Sequence, residues 1–179
     1  MENQDGKPQA MCSYGIHSGQ PHAVRPEGNM VYHRPGSVIV CGQGECADQW
    51  AAEYGPPSKG QIGTASFTAI EEIIAQTINQ AFISKAIRFD GNSQGYMNCD
   101  YCGEQVREGD EGIIGVDSKG RVYCSIDSNG KSCVMSRHMP EHKVPRIIVR
   151  ASIDEIMKYA GPFRENAGKH AQEEIFARP

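Results

Sequence analysis

Seven cysteines in two separated groups constrain this chain more than any other feature. Disulfide pairing cannot consume an odd number, and thiols clustered at short spacings point instead to metal ligation. The later group reads Cys99-Asp-Tyr-Cys102-Gly103, then Cys124 and Cys133, a C-x2-C-x21-C-x8-C spacing. Two residues between thiolates let both sulfurs face one ion, and the following glycine permits the tight backbone turn. Buried free thiols or a redox Cys-x-x-Cys would explain neither Cys124 nor Cys133. The spacing therefore predicts a zinc site built from Cys99, Cys102, Cys124 and Cys133.

The earlier group is Cys12-Ser-Tyr-Gly-Ile-His17, followed by Cys41-Gly-Gln-Gly-Glu-Cys46, which reads C-x4-H-x23-C-x4-C. His17 is the expected fourth ligand beside Cys12, Cys41 and Cys46, with His22 and His33 on the same loop and hairpin as its alternatives. One site of three cysteines and a histidine, plus one of four cysteines, uses all seven thiols. Two zinc ions per chain follow as the expectation. Composition agrees: of 179 residues only 39% are hydrophobic, and 20 glycines and 10 prolines interrupt most segments. Where apolar burial is thin, bound metal supplies stability that a core cannot.

The two groups share a plan. In each, a Cys-x-Tyr opening leads through a glycine-containing hairpin to an apolar stretch ending in cysteine, Ser37-Val-Ile-Val-Cys41 or Gly120-Arg-Val-Tyr-Cys124. The last cysteine then starts a helix, Cys46 to Glu53 or Cys133 to His138. Knuckle, hairpin and a ligand in a helix's first turn make the treble-clef arrangement, and its repetition suggests an internal duplication.

The expected fold class is small α+β: two treble-clef-like zinc fingers joined by an amphipathic helix, with a C-terminal strand and helices. Residues 1–11 are read as a disordered tail, 12–54 as the first finger and 55–63 as a linker. Thr68-Ala-Ile-Glu71 has the capping-box pattern, and Ile70, Ile73, Ile74, Ile78, Ala81 and Phe82 recur at helical spacing. A helix over about 65–87, within a segment 64–90, is expected. Its apolar stripe would need cover between the fingers or from a second copy, which leaves room for a homodimer. The second finger spans 91–143, with a hairpin of Ile113–Val116 and Arg121–Tyr123 turning at Ser118-Lys119-Gly120. The arm 144–179 holds a strand at Arg146–Arg150, a short helix capped by Ser152 and a polar helix over 163–176.

The first finger resembles the small zinc-binding domain of the ClpX unfoldase, a family pattern opening Cys-Ser-Phe-Cys-Gly and ending in an apolar strand, two cysteines and a helix. Its counterparts are Cys12-Ser-Tyr, Val38-Ile-Val-Cys41 and Cys46-Ala-Asp-Gln-Trp50, about 35 residues. The family's second cysteine is replaced, with Gly15 in its place and His17 two residues on, and the final pair is more widely spaced. The resemblance implies a dimerising, protein-binding finger. No motor follows it, because the chain contains no G-x-x-x-x-G-K-[ST] phosphate loop.

A closed four-ligand zinc site has no open position for water or substrate, so its ordinary role is structural. The deaminase and His-Glu-x-x-His patterns are absent. The enzymatic rival is an HNH-like, zinc-stapled nuclease. It would place an Asp-His pair on the hairpin, where Val116-Asp117-Ser118 stands, although His138 and His142 lie beyond the last cysteine. A nucleic-acid-binding finger is the other alternative. Lys119, Arg121, Lys131, Arg137, Lys143, Arg146 and Arg150 outnumber Asp127 and Glu141 there, while Asp100 to Asp117 carries six acids and one base. Both signs share one finger, and the net charge is -4. The reading is a non-catalytic adaptor or regulator docking on another protein. With no apolar signal core and no membrane-length apolar run, a cytoplasmic protein without membrane contact is expected.

Overall fold

A computed structural model describes residues 6–14, 22–25, 31–34, 38–55, 63–64, 67–89, 95–108, 113–125, 133–134 and 147–163. Along the chain run β1 (Gln9–Met11), β2 (Tyr32–Arg34), β3 (Val38–Val40), α1 (Gly44–Tyr54), β4 (Gly63–Thr64) and α2 (Phe67–Ile83). After them come β5 (Ile87–Phe89), β6 (Gly95–Met97), β7 (Ile113–Asp117), β8 (Val122–Tyr123), β9 (Ile148–Ser152) and α3 (Ile153–Lys158). The architecture is small α+β, as expected.

Alternation of side chains across a strand decides how these elements are layered. The principal sheet has the order β1-β9-β7-β8, every pair antiparallel. Gly115 lies opposite both Arg150 and Tyr123, and Met11 opposite Ile148. One face therefore presents Ala10, Ile114, Val116, Val122, Val149 and Ala151, which pack in one cluster with α2 residues. The other presents Met11, Tyr123 and Ile148, packed with Cys99, Cys124, Cys133 and Val134. The sheet is a middle layer, with α2 on one side and the second cysteine group on the other.

The apolar stripe of α2 is spent on that sheet. Ile70, Ile73, Ile74, Ile78, Ala81 and Phe82 are all buried within the one chain, and the helix contacts β1, β5, β7 and β9. Burial of each isoleucine contributes about 1.5–3 kcal/mol. The stripe thus gives no reason for a second copy, and α2 is a core element rather than a connector between separate fingers.

Several boundaries differ from expectation. The stretch 1–11, expected as a disordered tail, contains β1, whose Gln9 and Ala10 pair with Arg150 and Val149. Helix α2 starts at Phe67, so Thr68 lies inside its first turn rather than at its cap. It ends at Ile83, where the Lys85 N–H turns back to the Phe82 carbonyl at 3.1 Å and Lys85 takes a left-handed φ of 62°. Ile87–Phe89 is then a strand paired with β6, inside the segment expected as helix. The C-terminal strand begins at Ile148 rather than Arg146. The hairpin β7-β8 and the Ser152 cap, which accepts from the Glu155 N–H at 3.1 Å, stand as read. The expected helix over 163–176 lies beyond the described residues from 164 onward, as does the one from Cys133 after Val134.

Two glycines allow close approach. A Cβ on Gly115 would stand 1.8 Å from Val134 Cγ2, so the bare backbone there lets Cys133 and Val134 lie flat on the sheet. Gly120, with φ +75°, turns the hairpin against the end of α2, where Ser84 donates to its carbonyl at 2.6 Å.

Candidate metal centres

The first centre grows from a small antiparallel pairing that spacing alone does not reveal. Val24 N–H donates to Ala10 C=O at 2.8 Å and Cys12 N–H to His22 C=O at 3.0 Å, with Met11 bridged to Ala23. This pairing sets Cys12 and His22 opposite one another. The hairpin β2-β3, widened by β4, ends at Cys41. Helix α1 brings Cys46 back in its first turn, with its N–H held by the Gln43 carbonyl at 3.1 Å. One turn on, Trp50 lies fully buried against Tyr14, Tyr32 and Tyr54, which fixes the helix over the site. Tyr14 further ties down α1 by donating to Glu53 Oε2 at 2.7 Å.

Cys12, His22, Cys41 and Cys46 thus form one group whose ligand atoms all lie within 4.8 Å of one another. The Cys12 and Cys46 sulfurs are 3.6 Å apart, and His22 Nε2 is 2.9 Å from the Cys41 sulfur and 4.0 Å from that of Cys46. Tetrahedral zinc with Zn–S near about 2.3 Å needs sulfurs about 3.8 Å apart. The spacing fits. His22 occupies the fourth place among the described residues; the expected His17 lies outside them, and His33 is on β2.

The second centre is built on the expected knuckle. Cys99 C=O accepts from Gly103 N–H at 2.8 Å, and Gly103 takes the left-handed φ of 77° that the turn requires. Asp100 anchors the turn to β8, its N–H donating to Val122 C=O and its carboxylate accepting from Val122 N–H, both at 2.8 Å. Backbone N–H groups point at the sulfurs: Tyr101 and Cys124 donate to Cys99 Sγ at 3.4 Å each, and Arg107 to Cys124 Sγ at 3.1 Å. Cys99, Cys102, Cys124 and Cys133 again lie within 4.8 Å of one another, as the sequence pattern requires.

Compared with family models, curated proteins and solved structures, the chain matches none.

Electrostatics within the two groups follows one pattern. Contact with the Cys41 thiol, joined by the His22 charge, draws the Cys12 thiol down to about 5 against the opposing effect of burial. Cys41 is pushed far up by the same contact with Cys12, and burial with the Cys12 charge lifts Cys46 to about 12. In the second group burial would raise Cys99, but N–H donors from Cys102, Cys124 and Tyr101 outweigh it and lower the thiol. Burial first, then the Cys99 charge, lifts Cys124 to about 12 and Cys133 higher still. One thiolate in each group thus suppresses ionisation of its neighbours. A divalent ion, were one bound, would remove that conflict by letting every ligand carry its charge. Three thiolates with an imidazole, and four thiolates, are donor sets suited to zinc.

Of the basic run, Lys119 is exposed, while Arg121 and Arg150 are half-buried on the sheet. Lys131, Arg137, Lys143 and Arg146 lie outside the described residues, as do His138 and His142. Asp117, where a nuclease would carry its Asp-His pair, is fully buried. It accepts from the Lys119 and Arg121 N–H groups at 2.9 and 3.0 Å and from the Tyr123 hydroxyl at 2.8 Å. It caps the hairpin turn. Among the described residues no helix is long and apolar enough to cross a membrane.

Proposed function

We propose that the protein is a non-catalytic zinc-binding interaction protein, an adaptor or regulator whose two zinc ions hold a protein-docking surface in shape. The observation that carries this reading is that each metal group supplies four protein ligands. Four ligands close a zinc coordination sphere, leaving no position for water or substrate, and such sites serve structure. The parallel order of the two groups, knuckle, hairpin ending in cysteine, then helix-borne cysteine, supports treble-clef-like fingers derived by duplication. The likeness of the first to the ClpX zinc-binding domain favours protein as the partner.

The test is capture of partners from native lysate, with and without nuclease, by zinc-loaded and chelator-treated protein. Retention of a protein partner through nuclease treatment, lost on chelation, is expected. Metal-dependent cleavage of DNA or RNA would overturn the non-enzymatic reading. Nucleic-acid binding that weakens steeply with salt would shift the partner to nucleic acid.

A further inference from the structure

The two metal groups are unequal in one chemically decisive respect. Cys12, Cys41 and Cys46 are all buried, as are Cys99, Cys124 and Cys133. Cys102 is the one thiol of the seven that is half-buried rather than buried. It sits at the tip of the knuckle, between exposed Tyr101 and Gly103. The backbone donors are also unevenly shared. Cys99 Sγ receives the Tyr101 and Cys124 N–H groups and Cys124 Sγ receives that of Arg107, each drawing electron density from its sulfur.

We propose that Cys102 is a modification site for two-electron oxidants of the hydroperoxide class, through which the second zinc site alone is opened. The inference rests on the zinc reading above. Oxidation of a thiolate requires approach of the oxidant along an open path to sulfur, and zinc keeps the sulfur in the reactive thiolate form. The Cys102 sulfur attacks one peroxide oxygen, the O–O bond breaks and, with one proton taken up, water leaves and a sulfenic acid remains. A neighbouring thiolate of the same group, with Cys99 the Cys-x-x-Cys partner, then attacks that sulfur. The S–O bond breaks, a second proton is taken up and a second water departs. One disulfide has formed, one peroxide has been reduced to two waters, and zinc is left with two thiolates and is released.

The consequence reaches the fold. Cys133 and Val134 lie on the sheet face formed by Met11, Tyr123 and Ile148, and the Cys133 bond to zinc would hold them there. Loss of the ion uncovers that apolar face while the buried thiols of the first group keep theirs. Oxidation would thus change the surface presented to a partner without dismantling the molecule.

The experiment titrates the full-length, zinc-loaded protein with hydrogen peroxide, reading released zinc with a chromogenic chelator and thiol state by peptide mass spectrometry. In parallel, native protein is labelled briefly with N-ethylmaleimide. Cys102 is expected to be the first thiol labelled, and peroxide is expected to remove one of the two ions with a disulfide that includes Cys102. Peptide mapping at successive peroxide doses should find Cys102 in the disulfides formed before the first ion is fully released, and early disulfides that lack Cys102 would overturn the proposal. A starting content below two would sink the zinc reading and this proposal with it. A content of two that stays at two, or falls to none in one step, would overturn this proposal alone. So would labelling that begins at Cys12, Cys41 or Cys46, a readout that needs no variant.

Discussion

His22 completes the first group through backbone pairing rather than short-range spacing. The ladder of Ala10 to Cys12 against His22 to Val24 makes a knuckle with nine residues between its ligands. A two- or four-residue gap carries a spacing signal and a nine-residue gap carries none, so spacing favours His17, whereas among the described residues His22 stands beside the three thiols. The Cys99, Cys102, Cys124 and Cys133 set was legible because its knuckle is short and followed by glycine. We expect His22→Ala to lose one of two bound zinc ions and His17→Ala to keep both, by native mass spectrometry. Tyr14 is a second residue-scale test. Its bond to the Glu53 carboxylate is charge-assisted, and Tyr14→Phe should cost about 1–2 kcal/mol by urea denaturation at neutral pH. Burial, together with Glu53, holds the Tyr14 hydroxyl well above its ordinary range. The unfolded chain releases that proton near about pH 10 while the folded one retains it, so native stability falls as pH climbs past that point. The phenylalanine variant lacks this loss, and the gap between the two proteins should narrow in alkali.

Helix α2 and the hairpin β7-β8 were readable because their signals are local: three- and four-residue apolar spacing in one, β-branched runs about a glycine turn in the other. What covers α2 was not readable. Its stripe says that a partner surface exists, and only the pairing of β9 with both β1 and β7 shows that this surface is the chain's own sheet. Gly115 is where two elements meet most closely, and nothing in its sequence context marks it. Gly115→Val would drive side-chain atoms into Val134, at an overpacking cost of about 1–3 kcal/mol. Because Cys133 is the neighbouring ligand, the variant should lose zinc from the second site while retaining the first. Cobalt substitution, whose thiolate absorption differs between three- and four-sulfur sites, reads the two separately. Equal loss from both sites would contradict this account of the helix start at Cys133.

At the scale of the molecule, the two metal groups are not beads on a string. Strand β1 leads directly into Cys12, β7 and β8 lead to Cys124, and β9, between β1 and β7, joins both groups in one sheet. Strands from opposite ends of the chain are neighbours, a pairing with no local signature, which is why the first eleven residues read as a polar tail. Removing residues 1–11 tests the difference. A dispensable tail would leave thermal stability and metal content unchanged, whereas loss of β1 should lower the melting temperature and weaken zinc at Cys12. The account stands most directly on metal content. Native mass spectrometry of freshly purified, full-length protein should find two zinc ions per chain, and a strong chelator should unfold it as both are withdrawn. One ion or none in protein that is nonetheless folded would contradict it.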